Sequence, residues 1–237
     1  MKTHFFLAGG GGEEQSKEID SCFSKFIDGK KLMYIPVALN RDSIGFEACY
    51  DWITHVFSQF EYKIDVPRID MFLDPESIFK NIDNYDAIYI GGGNTFKLLN
   101  FFNKNNLSTK LRNFYNSGRP VYGGSAGAII LGSDIRTVNE ENDANYPYFS
   151  GFNVLKNNIS IICHYDQSLD KKILDFINKY KQNVIALPED SGLYVEDGFI
   201  KRVFGSPKQF SKDGVKEDLI IDKIKRVIVC DYDNPNK

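Results

Sequence analysis

Apolar residues in this chain alternate between short unbroken runs and stretches where they recur every three or four positions. "HFFLA", His4 to Ala8, is a run that stops at four glycines and reads as a buried strand with its loop. Ile19, Phe23, Phe26 and Ile27 then fall at i, i+4, i+7 and i+8, one stripe of a helix. "KLMYIPVA" is a second strand, and Cys49, Trp52, Ile53, Val56, Phe57 and Phe60 repeat with helical spacing after it. A weaker strand is expected near Lys63 to Ile69. "DAIYI", Asp86 to Ile90, is a clear strand ending in "GGGN". Leu98 and Leu99, then Leu107, Leu111 and Phe114, mark helix, with Gly118 as a stop signal.

Pro120, Val121 and Tyr122 form the next short strand, and Ala128 to Leu131 a buried helix start. Residues Ser133 to Asn158 are polar and irregular, a long surface excursion expected near the mouth of any active site. "ISIICHY" resumes as a strand, Leu169 to Tyr180 as a helix and "NVIALPE" as a strand. "GLYVEDGFIKRVF" carries Asp197-Gly198 between two β-rich runs, a hairpin signal. "RVIVC", Arg226 to Cys230, is the last expected strand.

Strands alternate with helices up to about Ile185. That predicts an α/β fold: a mostly parallel, flavodoxin-like sheet with helices on both faces and a C-terminal β-hairpin. Strands buried on both faces should be continuous apolar runs, and "DAIYI", "ISIIC" and "VIAL" are. No break in composition divides residues 1–237, so one domain is expected. At 42% hydrophobic residues the chain has material for a core. A net charge of −3 gives no reason to expect nucleic acid or an acidic membrane surface as partner. Cys22, Cys49, Cys163 and Cys230 are scattered without a C-x-x-C pair. That spacing suits free thiols in a reducing cytoplasm better than disulfides or zinc. No stretch resembles a signal peptide or approaches the ~20 apolar residues of a membrane span. A cytoplasmic location without membrane contact is therefore expected.

The chemistry concentrates at the carboxyl ends of the strands, where open α/β sheets bind ligands. Gly123, Ser125 and Gly127 fit G-x-S-x-G, a sharp strand-to-helix turn that exposes a serine. A tight turn that needs small residues would read the same. Of three histidines, His4 starts a strand at the wrong end and His55 lies off its apolar stripe, whereas His164 follows an apolar strand. Cys163 beside it should point the other way, as a small buried hydrophobe. A serine needs a base, and the base needs an orienting group. The carboxylates in reach are Asp134, Glu140, Glu141, Asp143, Asp166 and Glu189; the favoured one is Glu189, which ends the strand "VIALPE". Ala126, just after the serine, and the Gly91-Gly92-Gly93 loop are natural backbone donors to an oxyanion. "GGGG" after the first strand does not make a dinucleotide site, because the third position after Gly11 is Glu14. No cluster has metal-ligand spacing, so no metal and no cofactor are expected.

"IYIGGGNTFKLL", "YGGSAGAI", "DIRT" and "CHY", in this order over roughly Phe5 to Gly192, resemble the serine peptidases that include dipeptidase E and cyanophycinase. The resemblance implies a class I glutamine amidotransferase-like fold. It implies Ser125 as nucleophile, His164 as base, and an oxyanion hole from Gly92, Gly93 and Ala126. For the third member the resemblance leaves two positions, Glu189 and Glu140; Glu189 is kept first, in agreement with its place at the end of a strand, with Glu140 as runner-up. Gly124 stands where dipeptidase E commonly carries Trp. Short peptides with an acidic first residue (Asp-X) are the substrates implied, with a homodimer allowed. Arg136 is the cation chosen for the substrate carboxylate, although a surface ion pair with Asp134 competes. Asn94, at the end of the glycine loop, is a further substrate contact. The alternatives are a binding module for a small anionic ligand or partner, and an α/β-hydrolase-type esterase. The esterase would order its triad serine, acid, histidine, whereas the only histidine after Ser125 is mid-chain, with a helix, a strand and a hairpin still to come.

Overall fold

The computed structural model describes residues 1–39, 45–69, 79–104, 106–138, 140, 142 and 145–221. Ten strands and six α-helices lie among the described residues. They are β1 (His4–Ala8), α1 (Glu13–Ser24), β2 (Leu32–Ile35), α2 (Phe46–Ser58), β3 (Ala87–Ile90), α3 (Thr95–Lys104), α4 (Leu107–Asn116), β4 (Val121–Gly124), α5 (Ala126–Leu131), β5 (Ser160–Ile162), α6 (Asp170–Tyr180), β6 (Val184–Ala186), β7 (Gly192–Glu196), β8 (Phe199–Phe204), β9 (Lys208–Phe210) and β10 (Lys216–Asp218).

The central sheet has the order β2-β3-β4-β1-β7-β8. β2, β3, β4 and β1 are mutually parallel, and β7 and β8 close one side antiparallel. The sheet is thus mostly parallel, as the alternation predicts. Its two faces sort by the period of two in each strand. Phe5, Leu7, Ile88, Ile90 and Val121 pack under α3, α4 and α5 through Leu98, Phe102, Leu111 and Ala128. Phe6, Tyr34, Tyr89 and Tyr122 pack under α1 and α2 through Phe23, Ile53 and Phe57.

Two expectations are corrected. The strands "ISIIC" and "VIAL" do not extend the central sheet. β5 and β6 pair parallel with each other and, with β9 and β10, form a second sheet of order β10-β9-β6-β5. The physical reason is edge occupancy: β4 holds one side of β1 and antiparallel β7 the other. The weaker strand near Lys63 is reduced to a single parallel bridge between Lys31 and Asp65. Pro67 lacks the amide hydrogen a longer ladder needs. The hairpin forms as β7–β8, turning at Asp197 (φ 52°) and Gly198 (φ 82°). The "RVIVC" run lies outside the described residues.

Candidate active site

β4 ends at Gly124, and the chain turns through Ser125 with φ 50° and ψ −112° before α5 begins at Ala126. A non-glycine residue in that region is strained, and strain at a strand-to-helix turn presents the hydroxyl outward. Gly123 and Gly127 allow the turn, because a Cβ on Gly123 would meet the Gly127 backbone carbonyl carbon at 2.5 Å. His164 follows β5, also with positive φ (51°). Its Nε2 stands 2.8 Å from Ser125 Oγ. On the other side of the ring, Nδ1 stands 3.1 Å from Glu189 Oε1, which arrives on the loop after β6. The three side chains therefore form one hydrogen-bonded line from carboxylate to hydroxyl. The imidazole and the carboxylate are each half exposed. The hydrogen bond from His164, and a second from Gln15, hold the Glu189 carboxyl below its ordinary value.

Glu141 and Asp143 lie outside the described residues, and the other candidate carboxylates are engaged elsewhere. Glu140 Oε1 accepts from Thr95 Oγ1 at 3.1 Å, just past the glycine loop. Asp166 accepts from the Ser168 amide. Asp134 is buried and clasps Arg136, with Nε 3.0 Å from Oδ1. That clasp, together with the face of Tyr180 3.7 Å below the guanidinium carbon, occupies the cation chosen from the sequence. Arg136 is not among the residues lining the cavity beside Ser125. Asn94 Oδ1 accepts from the Lys97 amide and caps α3. Cys163 is buried, its Sγ 3.5 Å from the Ser125 carbonyl oxygen, and burial pushes the thiol well up.

The glycine loop reaches the serine as well. A Cβ on Gly92 would stand 3.1 Å from Ser125 Cβ, so its backbone faces the serine. Gly93, at φ 119°, packs on the Ala38 carbonyl. Ala126 is the first residue of α5, so its amide has no acceptor within the helix.

Two contributors are missed by sequence reasoning. Gln15 donates from Nε2 to Glu189 Oε2 (3.2 Å) and accepts from the Gly12 amide (2.9 Å). The available signal was the spacing Gly12-x-x-Gln15, a glutamine at the third helical position. The second is the exit of β1. Ala8 O accepts from Ser125 N (3.0 Å), Gly9 O accepts from His164 N (3.0 Å), and Gly9 N and Gly11 N donate to Ser191 O and Glu189 O. Backbone at Ala8–Gly11 thus ties together the three loops that carry Ser125, His164 and Glu189.

The profile of Peptidase family S51 matches residues 5–203, and the chain belongs to that family. Peptidase E of Haemophilus influenzae is 28% identical over 189 residues, 74% of this chain and 81% of the relative. Peptidase E of Shewanella denitrificans is 26% identical over 200 residues, 80% and 81% of the two chains. Among solved structures, a protein assigned as a peptidase E from Listeria monocytogenes EGD-e superposes with a TM-score of 0.65 at 18% identity, covering 93% of this chain and all of that one (100%). A peptidase from an acI-B1 Actinobacterium gives 0.62 at 19% identity, covering 92% and 94%. These likenesses show the fold. Family membership and the curated relatives make the chain a serine peptidase. Among the described residues no helix is long and apolar enough to cross a membrane.

Proposed function

We propose that the chain hydrolyses short peptides by acyl transfer through Ser125, His164 and Glu189. The observation that carries this is the continuous hydrogen-bonded line, 2.8 Å from hydroxyl to imidazole and 3.1 Å from imidazole to carboxylate. Ser125 Oγ attacks the scissile carbonyl carbon while His164 Nε2 takes its proton. Glu189 holds the Nδ1 proton in place and stabilises the imidazolium. The amides of Ala126 and of the Gly92–Gly93 turn receive the oxyanion. His164 then gives its proton to the leaving amine, the C–N bond breaks, and water releases the acyl group by the same steps in reverse.

An acidic first residue follows from the resemblance to dipeptidase E. The Arg136–Asp134 clasp does not supply a free cation for it. An Asp-X preference thus rests on kinship alone. The test of the catalytic reading is a fluorophosphonate probe with peptide mapping, alongside hydrolysis by the Ser125→Ala protein. Labelling at Ser125, and a loss of ~10⁴ to 10⁶ in kcat on its removal, are expected. An active, unlabelled protein would overturn it.

A further inference from the structure

We propose that the cavity beside Ser125 is a specificity pocket for a bulky aromatic side chain on the acyl side of the scissile bond. This rests on the Ser125–His164–Glu189 reading. The cavity holds about 410 Å³, room for such a side chain, and is walled by Tyr34, Leu39, Cys49, Trp52 and Tyr89 beside the glycine turns. Rings and other apolar side chains make one part of its wall and the glycine turns with Ser125 the other. The Trp52 and Tyr89 rings meet at 78° with centroids 6.3 Å apart, and Tyr89 and Tyr34 at 71° and 5.5 Å. Rings set edge to face in this way offer both faces and edges to one more ring.

The position relative to the machinery decides which side of the bond is read. Gly92, Gly124 and Ser125 border the cavity, and His164 does not. The departing amine must collect its proton from His164, so it leaves on the histidine side. The side chain lodged in the cavity then belongs to the residue whose carbonyl is attacked.

Gly124 keeps the space open. A Cβ there would come within 3.2 Å of the Tyr89 hydroxyl, so a larger side chain would fill the cavity from the nucleophile's own turn. Tyr34 adds a polar preference. It is fully buried, and its hydroxyl has no hydrogen-bond partner among the described residues. An orphaned buried hydroxyl is costly, and a polar tip entering the cavity relieves it. A tyrosyl substrate therefore gains over a phenylalanyl one.

Two measurements test this. The first is kcat/KM for the dipeptides Tyr-Leu, Phe-Leu, Ala-Leu, Asp-Leu and Lys-Leu, with the full chain and with Gly124→Leu and Tyr34→Phe. We expect the aromatic peptides to exceed Asp-Leu and Lys-Leu by about 100-fold, the discrimination a well-filled apolar pocket gives. Gly124→Leu should collapse the Tyr-Leu to Ala-Leu ratio while a fluorophosphonate still labels Ser125. Tyr34→Phe should erase the advantage of Tyr-Leu over Phe-Leu. The second uses Ser125→Ala and needs no catalysis. Trp52 is the chain's single tryptophan, so its fluorescence reports occupancy of the cavity. A saturable change with Phe-Leu, about tenfold weaker with Asp-Leu, supports the pocket even if the catalytic reading fails. Preference for Asp-Leu or Lys-Leu in both measurements, with Ser125 labelled, would overturn the pocket and leave the catalytic reading standing.

Discussion

At the scale of single residues, the site works through orientation. In the proposed mechanism His164 takes a proton from Ser125 while its Nδ1 is held, and Glu189 Oε1 stands 3.1 Å from that atom. Glu189 is in turn held by Gln15, which also accepts from the backbone at Gly12. Gln15 touches no reacting atom, so it is a positioning residue. Gln15→Ala should lower kcat by roughly tenfold, the scale of a lost supporting hydrogen bond, and shift KM much less. It should also raise the Glu189 titration midpoint, because one of the two bonds that lower it is gone. Carboxyl-carbon NMR titration separates this from a general loss of fold. Ionised Glu189 favours the folded state above its ordinary pKa, and that contribution is lost as pH falls through the lowered value. Half exposure keeps it small. Cys163 should resist alkylation in the native protein, since burial raises its thiol and closes access; peptide mapping after brief iodoacetamide treatment checks this.

At the scale of elements, α1 and β4 are joined by a buried carboxyl. Asp20 accepts from Ser16 Oγ and from the Tyr122 hydroxyl, each at 2.6 Å, and is 1% exposed. Burial pushes its carboxyl up to about 6, outweighing the two hydrogen bonds that favour the anion. A raised folded value means that the folded chain holds the proton more tightly than the unfolded one. Stability from this group is fully present below the ordinary carboxylate pKa and is lost as pH rises through about 6. Asp20→Asn removes the titration. Relative to the native protein, the variant should gain up to about 3 kcal/mol between pH 4 and pH 8. Urea unfolding midpoints at the two pH values measure it, and equal differences at both would contradict it. Nothing in the helical stripe Ile19–Phe23 marks the neighbouring acid as buried. It becomes so only because Tyr122, far along the chain, lies beneath it.

At the scale of the whole molecule, the site straddles two sheets. Ser125 leaves the central sheet after β4, His164 leaves the second sheet after β5, and Glu189 lies on the passage from β6 to β7. What fixes their relative positions is the exit of β1. Gly10 lies at φ 101°, and a Cβ there would meet His164 Cε1 at 2.6 Å and Ser125 Cβ at 2.8 Å. Gly10→Ala should therefore cost about 1–3 kcal/mol of stability from backbone strain. It should lower kcat by about 100-fold, because the serine and histidine must move apart. Thermal unfolding and single-turnover hydrolysis read the two effects separately. A variant with unchanged turnover would show that the β1 exit does not set the spacing.

Local chemistry in the chain determined most of the elements and the residues worth watching. Burial has a period, so the runs "HFFLA" and "DAIYI" and the stripe Ile19–Phe23–Ile27 could be read without coordinates. Ser125 and His164 stood out because G-x-S-x-G fits a strand-to-helix turn that exposes a serine and only three histidines compete. Glu189 was favoured because it ends a strand, which limits where it can lie. Pairing partners are not local, and tertiary structure alone decided them. Which strand takes the free edge of β1 depends on β7 arriving antiparallel, and that sends β5 and β6 to a second sheet. The pairing of Arg136 with Asp134, two residues away, was one of two readings open in the sequence, and the Tyr180 ring against the guanidinium appears only in the tertiary structure. The spacing Gly12-x-x-Gln15 marks a helix start and not a partner of Glu189, and Gly10 and the rings around the cavity carry no signature of their own. Their roles come from distances between segments far apart in the chain, which composition and periodicity do not encode.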